Sequence, residues 1–114
     1  MAKKSAFTFN EMVEFARSGK PVRHKGKNDA LWKSEDGIVL YRLFGIIIAV
    51  LDLKRHTIRV MDNGYQTVTT KDRLNGIMSH FGHGIYQKNY NWYQYGKGKT
   101  FAIPWGGHMT FSFR

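Results

Sequence analysis

Nine consecutive residues, LFGIIIAVL from Leu43 to Leu51, carry no polar side chain. A membrane-spanning helix needs roughly 20 apolar residues, so this run is too short to cross a bilayer. Its β-branched half, IIIAVL, reads instead as a central strand buried on both faces. A buried strand needs partners, and the flanking sequence supplies them. The stretch ALWKSEDGIVLYRLFGIIIAVLDLKRHTIRVMDNGYQTVTT reads as a strand meander, with EDG and DNG as turn signals between β-rich runs. HTIRVM alternates, which places Ile58 and Val60 or Met61 inward and Arg59 outward.

Two segments carry a helical period. In TFNEMVEFARSGK, Thr8 and Glu11 have capping-box spacing, and Met12, Val13, Phe15 and Ala16 form an apolar stripe that Gly19 stops. In TTKDRLNGIMSHF, Thr69 or Thr70 is the expected cap, Leu74, Ile77, Met78 and Phe81 share one face, and Gly82 ends the helix. From His83 the chain is β-rich again: GIYQK and NWYQY pair across an NYN turn, and TFAIPW and HMTFSF follow. The fold class is therefore α+β: two short helices packed on a mostly antiparallel sheet of about six or seven short strands. Residues 1–114 form a single domain with a short basic N-terminal tail, Met1 to Ala6. No cysteine is present, which rules out disulfides, thiolate zinc sites and a cysteine nucleophile. Met1–Lys4 leads into SAFTFNEM without the long apolar segment of a secretory signal, so the chain reads as soluble and intracellular.

Charge narrows the partners. Eighteen Lys and Arg oppose eight Asp and Glu, a net +10 that suits a polyanion. The densest basic zone is RSGKPVRHKGK, with Arg17, Lys20, Arg23, His24, Lys25 and Lys27 on an expected loop that long side chains could wrap around phosphates. A mobile solvated loop is the plain alternative. A second group, Lys54-Arg55-His56, decorates a hairpin tip. The stretch GIYQKNYNWYQYGKGKTFAIPW holds seven aromatic rings and three lysines, and no acid follows Asp72. Neighbours on a strand face opposite sides. If Ile85 and Trp92 face the core, Tyr86, Tyr93 and Tyr95 face outward, near Lys88, Lys97, Lys99 and Arg114. Rings that stack on bases beside lysines that track phosphates fit single-stranded nucleic acid. Tyrosines also favour strands for packing alone.

The block IRVMDNGYQTVTTKDRLNGIM, Ile58 to Met78, resembles a family of small, uncharacterised bacteriophage-encoded proteins. The pattern is a strand, a turn ending Gly-aromatic, Thr-x-Thr-Thr, and a helix opening Arg-Leu-Asn. Here it falls on Gly64, Tyr65, Thr67, Thr69, Thr70, Arg73, Leu74 and Asn75, with Tyr65 where the pattern has tryptophan. LYRLFGIIIA and GIYQKNYNWYQY match the flanking strands, so the likeness runs from about Ile38 to Tyr95. It implies a phage origin and a workplace in the host bacterial cytoplasm, and it transfers no catalytic residue. Thr69, Thr70, Lys71 and Arg73 could form an anion site at a helix start. Asp72 opposes an anion there, which favours a local partner for Arg73, either Asp72 or a strand-end carbonyl.

An enzyme is not expected. His80 and His83 form H-x-x-H without a third ligand, so neither a metal nor a cofactor is predicted. No phosphate loop or nucleophile elbow occurs. A histidine-based ribonuclease, with His83 or His108 beside Lys99 and Tyr93, is the exception to weigh. Two classes remain. One is a nucleic-acid-binding module using the basic zone and the aromatic strands. The other is a phage effector that binds an acidic surface on a host or anti-phage defence complex, with Phe101 and Trp105 as interface anchors. A virion component is a third possibility.

Overall fold

A computed structural model describes residues 6–96 and 102–113. Most of the basic tail, together with Lys97, Lys99, Phe101 and Arg114 among the expected functional positions, lies outside the described residues.

Helix α1 (Phe9–Arg17) starts as its capping box predicts. The Thr8 N–H donates to Glu11 Oε1 at 2.9 Å, and the Glu11 N–H donates to Thr8 Oγ1 at 3.1 Å. It buries Phe9, Met12 and Phe15. It ends at Arg17, two residues before Gly19, because the Ser18 N–H and hydroxyl both turn back onto the Phe15 carbonyl.

Five antiparallel strands then follow as a meander: β1 (Val22–Lys25), β2 (Asp29–Lys33), β3 (Val39–Leu43), β4 (Ile46–Asp52) and β5 (Thr57–Met61). The expected basic loop is thus partly a strand. β1 is an edge strand joined to β2 by a turn through Gly26. The apolar run is divided as well. Phe44 and Gly45 both take left-handed backbone (φ 55° and 80°) and close the β3–β4 hairpin, so the strand begins at Ile46.

Asn63 and Gly64 also lie at positive φ, and the Tyr65 N–H closes the turn onto the Asp62 carbonyl at 2.8 Å. That turn leads not to a returning strand but to helix α2 (Val68–Met78). Its cap is Thr67, whose hydroxyl accepts from the Thr70 N–H at 3.0 Å, two or three residues before the expected one. A 3-10 turn, Ser79–Phe81, ends at left-handed Gly82. The strands β6 (His83–Lys88), β7 (Asn91–Gly96) and β8 (Ile103–Pro104) make a separate three-stranded sheet. The last strand, β9 (His108–Ser112), returns to pair antiparallel with β5 and completes the order β1-β2-β3-β4-β5-β9. The architecture is α+β as expected, but the strands divide between two sheets.

The register separates the two faces of the large sheet. Leu31, Val39, Tyr41, Leu43, Ala49, Leu51, Ile58, Val60 and Phe111 point inward and form one core with α1, α2, Ile85 and Trp92. Both helices and the small sheet pack on that side. β4 is therefore central in the order but covered on one face, which corrects the expectation of burial on both. Ile47 and Val50 are half-buried on the other face, with Leu40, Arg42 and exposed Trp32 beside them.

Candidate nucleic-acid interface

The Arg-Leu-Asn block acts as an anchor. Arg73 Nε donates to Asp29 Oδ2 at 2.8 Å, and Nη1 donates to Asp72 at 3.0 Å. Asp29 is buried and also accepts from the Tyr41 hydroxyl, which in turn accepts the Phe7 N–H at 3.1 Å. Burial pushes the Tyr41 hydroxyl pKa up, and the Asp29 hydrogen bond pushes it further, so it stays a proton donor. Burial alone would lower the Arg73 pKa, but the Asp29 carboxylate outweighs it and holds the guanidinium charged. The expected local pairing with Asp72 is present. The stronger partner lies 44 residues away. With its charge divided between two carboxylates, Arg73 is committed to the fold.

Asn75 splices the small sheet onto α2. Its Oδ1 accepts the Ile85 N–H at 2.6 Å, and its Nδ2 donates to the Ile85 carbonyl at 3.0 Å. Asn75→Ala would leave both backbone groups half-buried and unpaired, at a cost of about 1–3 kcal/mol. Urea unfolding measures it. An unchanged midpoint would mean that water replaces the amide freely.

So held, the β6–β7 hairpin presents its tyrosines. A two-residue turn, Asn89-Tyr90, puts Tyr86 directly opposite Tyr93 and Gly84 opposite Tyr95. The Tyr86 and Tyr93 rings stack with centres 5.7 Å apart, and Tyr95 lies 6.1 Å from Tyr86. Gly84 is required beneath this row: a Cβ there would overlap the Tyr95 ring and hydroxyl. Ile85 and Trp92 face the core, as strand alternation predicts. Tyr86 remains 40% exposed and Tyr95 46%, with exposed Lys88 on the same side and Tyr90 at the hairpin tip.

The basic zone divides into two groups. Lys25 Nζ sits 2.6 Å from Glu11 and bonds the Ala6 carbonyl, and Arg23 lies 3.7 Å from Glu11; both lie over the Phe7 ring. These two clamp α1 to the sheet edge. Arg17, Lys20, His24 and Lys27 are exposed. β1 and β9 occupy opposite edges of the large sheet, five strand spacings or about 24 Å apart. The small sheet joins at the β9 side, where His83 at the start of β6 packs on Phe111 with ring centres 5.0 Å apart. The basic strand and the tyrosine row therefore do not lie side by side.

Trp105 is not the surface anchor suggested by its sequence context. It is only 8% exposed, because its Nε1 donates to buried Asp62 at 2.8 Å. His80 packs on Phe9, His83 packs on Phe111, and His108 starts β9, so the two histidines weighed for ribonuclease chemistry belong to different sheets. Among the described residues no cluster of three or more His, Cys, Asp or Glu gathers, and no helix is long and apolar enough to cross a membrane. Sequence reasoning missed the Trp32–Arg42 pair, where the guanidinium lies 5.1 Å from the ring centre on the open sheet face. Strand alternation in ALWK and VLYRL was the available signal.

A protein-family model described as Kyanoviridae Gp96 protein matches residues 8–112 of the chain. Comparisons with curated proteins and with solved structures gave no match.

Proposed function

The chain belongs to the Kyanoviridae Gp96 family of bacteriophage proteins, and we propose that it is a binding module for single-stranded nucleic acid. The supporting observation is the tyrosine row of the small sheet. Tyr86, Tyr93 and Tyr95 share one face of a hairpin whose position is fixed by Asn75, with Lys88 at its end. Each base has a π-face that such rings accept without regard to sequence. No acid follows Asp72, so this half of the chain does not repel phosphates. The exposed Arg17, Lys20 and Lys27, outside the tyrosine row, add long-range attraction.

Fluorescence anisotropy with labelled single-stranded DNA, duplex DNA and RNA across a salt series tests this. Single strands are expected to bind best, with a log–log salt slope of about −3 or steeper, which corresponds to about four or more phosphate contacts. Weak binding of all three at low salt would overturn the reading.

A second reading, an effector that occupies an acidic surface on a host or defence complex, is favoured by the open face of the large sheet. Trp32 is 42% exposed there beside Arg42, on the same face as half-buried Leu40, Ile47 and Val50 and, three strands away, exposed Arg59. A Trp and Arg pair is a common interface anchor. A stable complex that survives Tyr86→Ala but not Trp32→Ala would select this reading.

A further inference from the structure

Among the described residues, five other than glycine hold left-handed backbone: Phe44, His56, Asn63, Asn89 and Tyr90. That region costs free energy for a residue with a side chain, and least for asparagine. The fold accounts for Phe44 and His56. The Phe44 N–H reaches the Asn28 carbonyl at 2.8 Å, and the His56 carbonyl accepts the Phe113 N–H at 2.8 Å. Tyr90 (φ 67°) gains nothing comparable among the described residues, and it is 92% exposed. In a two-residue hairpin turn with both φ positive, Asn followed by Gly is the preferred pair. Asn89 fits that preference, and a large ring stands where the glycine belongs. An exposed ring held on strained backbone points to a use outside the fold.

Its surroundings say what that use is. Along the outer face of the hairpin come Tyr95, then Tyr86 stacked on Tyr93, then Lys88, and the hairpin ends at Tyr90. Tyr90 follows Tyr86 by four residues, about 13 Å of strand, a short reach for a nucleic-acid strand already lying on the row. The hairpin is only two strands wide, with about 4.8 Å between them. Asn89, Tyr90 and Asn91 at its tip are all exposed and uncharged. A narrow uncharged tip fits between two nucleic-acid strands that diverge, where the face of a sheet does not. Inside a duplex each base pair is covered above and below, and a ring enters only by unstacking a step. The last pair of a duplex shows an open π-face at no such cost.

We infer that Tyr90 stacks on the terminal base pair of a duplex, so that the protein docks where a single strand leaves a duplex. The strand runs over Tyr86, Tyr93 and Tyr95 with Lys88 at a phosphate, and the ring at the tip covers the duplex end. The inference rests on the single-strand reading and adds the substrate class to it, a junction between single strand and duplex.

The test compares, by anisotropy, an oligo(dT) tail free in solution with the same tail attached to a short duplex. The tailed duplex should bind about tenfold more tightly, the worth of one additional stack. Tyr90→Phe should keep that ratio. Tyr90→Ser, which keeps a side chain on the left-handed backbone but no ring, should lose the ratio and bind the free tail as the wild type does. Tyr90→Gly should lose it as well and raise the urea midpoint, because glycine after asparagine suits the turn. A fluorescent adenine analogue at the last paired position should be quenched by the wild type and by Tyr90→Phe, and not by the other two. Equal affinity for tailed duplex and free tail overturns the junction and leaves the tyrosine row standing. A ratio that survives in Tyr90→Ser also overturns it, because the added affinity then comes from the duplex phosphates. So does a loss in Tyr90→Ser that is equal for both ligands, which would make Tyr90 one more ring for the single strand. If neither ligand binds at low salt, the junction and the single-strand reading fall together.

Discussion

Arg73→Leu is expected to destabilise the protein by about 3–5 kcal/mol, the usual cost of stranding a buried charge. The side chain of Asp29 has no exposure to water, and Arg73 is its only charged partner among the described residues. Without the guanidinium, Asp29 keeps the Tyr41 hydroxyl, one neutral donor against a full charge. The loss would reach three elements at once, since the cluster ties α2 to β2, β3 and the Phe7 backbone. The combined change Asp29→Leu, Tyr41→Phe and Arg73→Leu removes the charges together and should recover much of the stability, because a buried ion pair contributes little over a well-packed apolar replacement. The Phe7 N–H then lacks its acceptor, so recovery should stop short by roughly 1–3 kcal/mol. Chemical denaturation of the wild type, the single variant and the triple variant provides the comparison. A loss below about 1 kcal/mol for Arg73→Leu would mean that water reaches Asp29.

That cluster also marks the boundary of what the sequence makes legible. Features set by spacings of a few residues can be read directly. Thr8 and Glu11 cap α1 because their backbone and side-chain donors and acceptors are three residues apart. The outward set Tyr86, Tyr93 and Tyr95 follows from strand alternation once Ile85 and Trp92 are placed in the core. The features that failed depend on distant partners. Trp105 looks like a surface anchor until Asp62, 43 residues earlier, takes its N–H. Arg73 looks locally paired until β2 brings Asp29 beneath α2. Nothing local to HMTFS says that it will pair with β5 across a helix and a second sheet. The Phe44-Gly45 turn was hidden for a different reason: Phe is an uncommon residue at positive φ, so hydropathy merged it with the strand. The division of Arg17–Lys27 into exposed cations and an α1 clamp rests on Glu11, the acid within reach of β1, whose second role as a cap masked the first.

Single-strand affinity should fall in steps as the tyrosine row is removed. Each of Tyr86→Ala, Tyr93→Ala and Tyr95→Ala should cost about 1–3 kcal/mol if its ring stacks on a base. Tyr86 and Tyr95 are the more exposed, so their losses should appear in binding with little change in unfolding. Tyr93 is half-buried between Tyr86 and the β8 strand, where it opposes Pro104, so its loss should also loosen the hairpin and show in both measurements. Phenylalanine at each position keeps the π-face and should keep the affinity, because stacking needs the ring and not the hydroxyl. Lys88→Gln acts on a different quantity: with one phosphate contact fewer, the salt slope should become shallower by about 0.7. Rings and lysine are thus separable, the first by affinity at fixed salt and the second by its salt dependence. If the alanine variants bind as the wild type does while Lys88→Gln still flattens the slope, the protein holds phosphates and the tyrosines only pack. If alanine at Tyr86 and Tyr95 removes binding and phenylalanine restores it, with unfolding unchanged, the row is the surface on which bases stack.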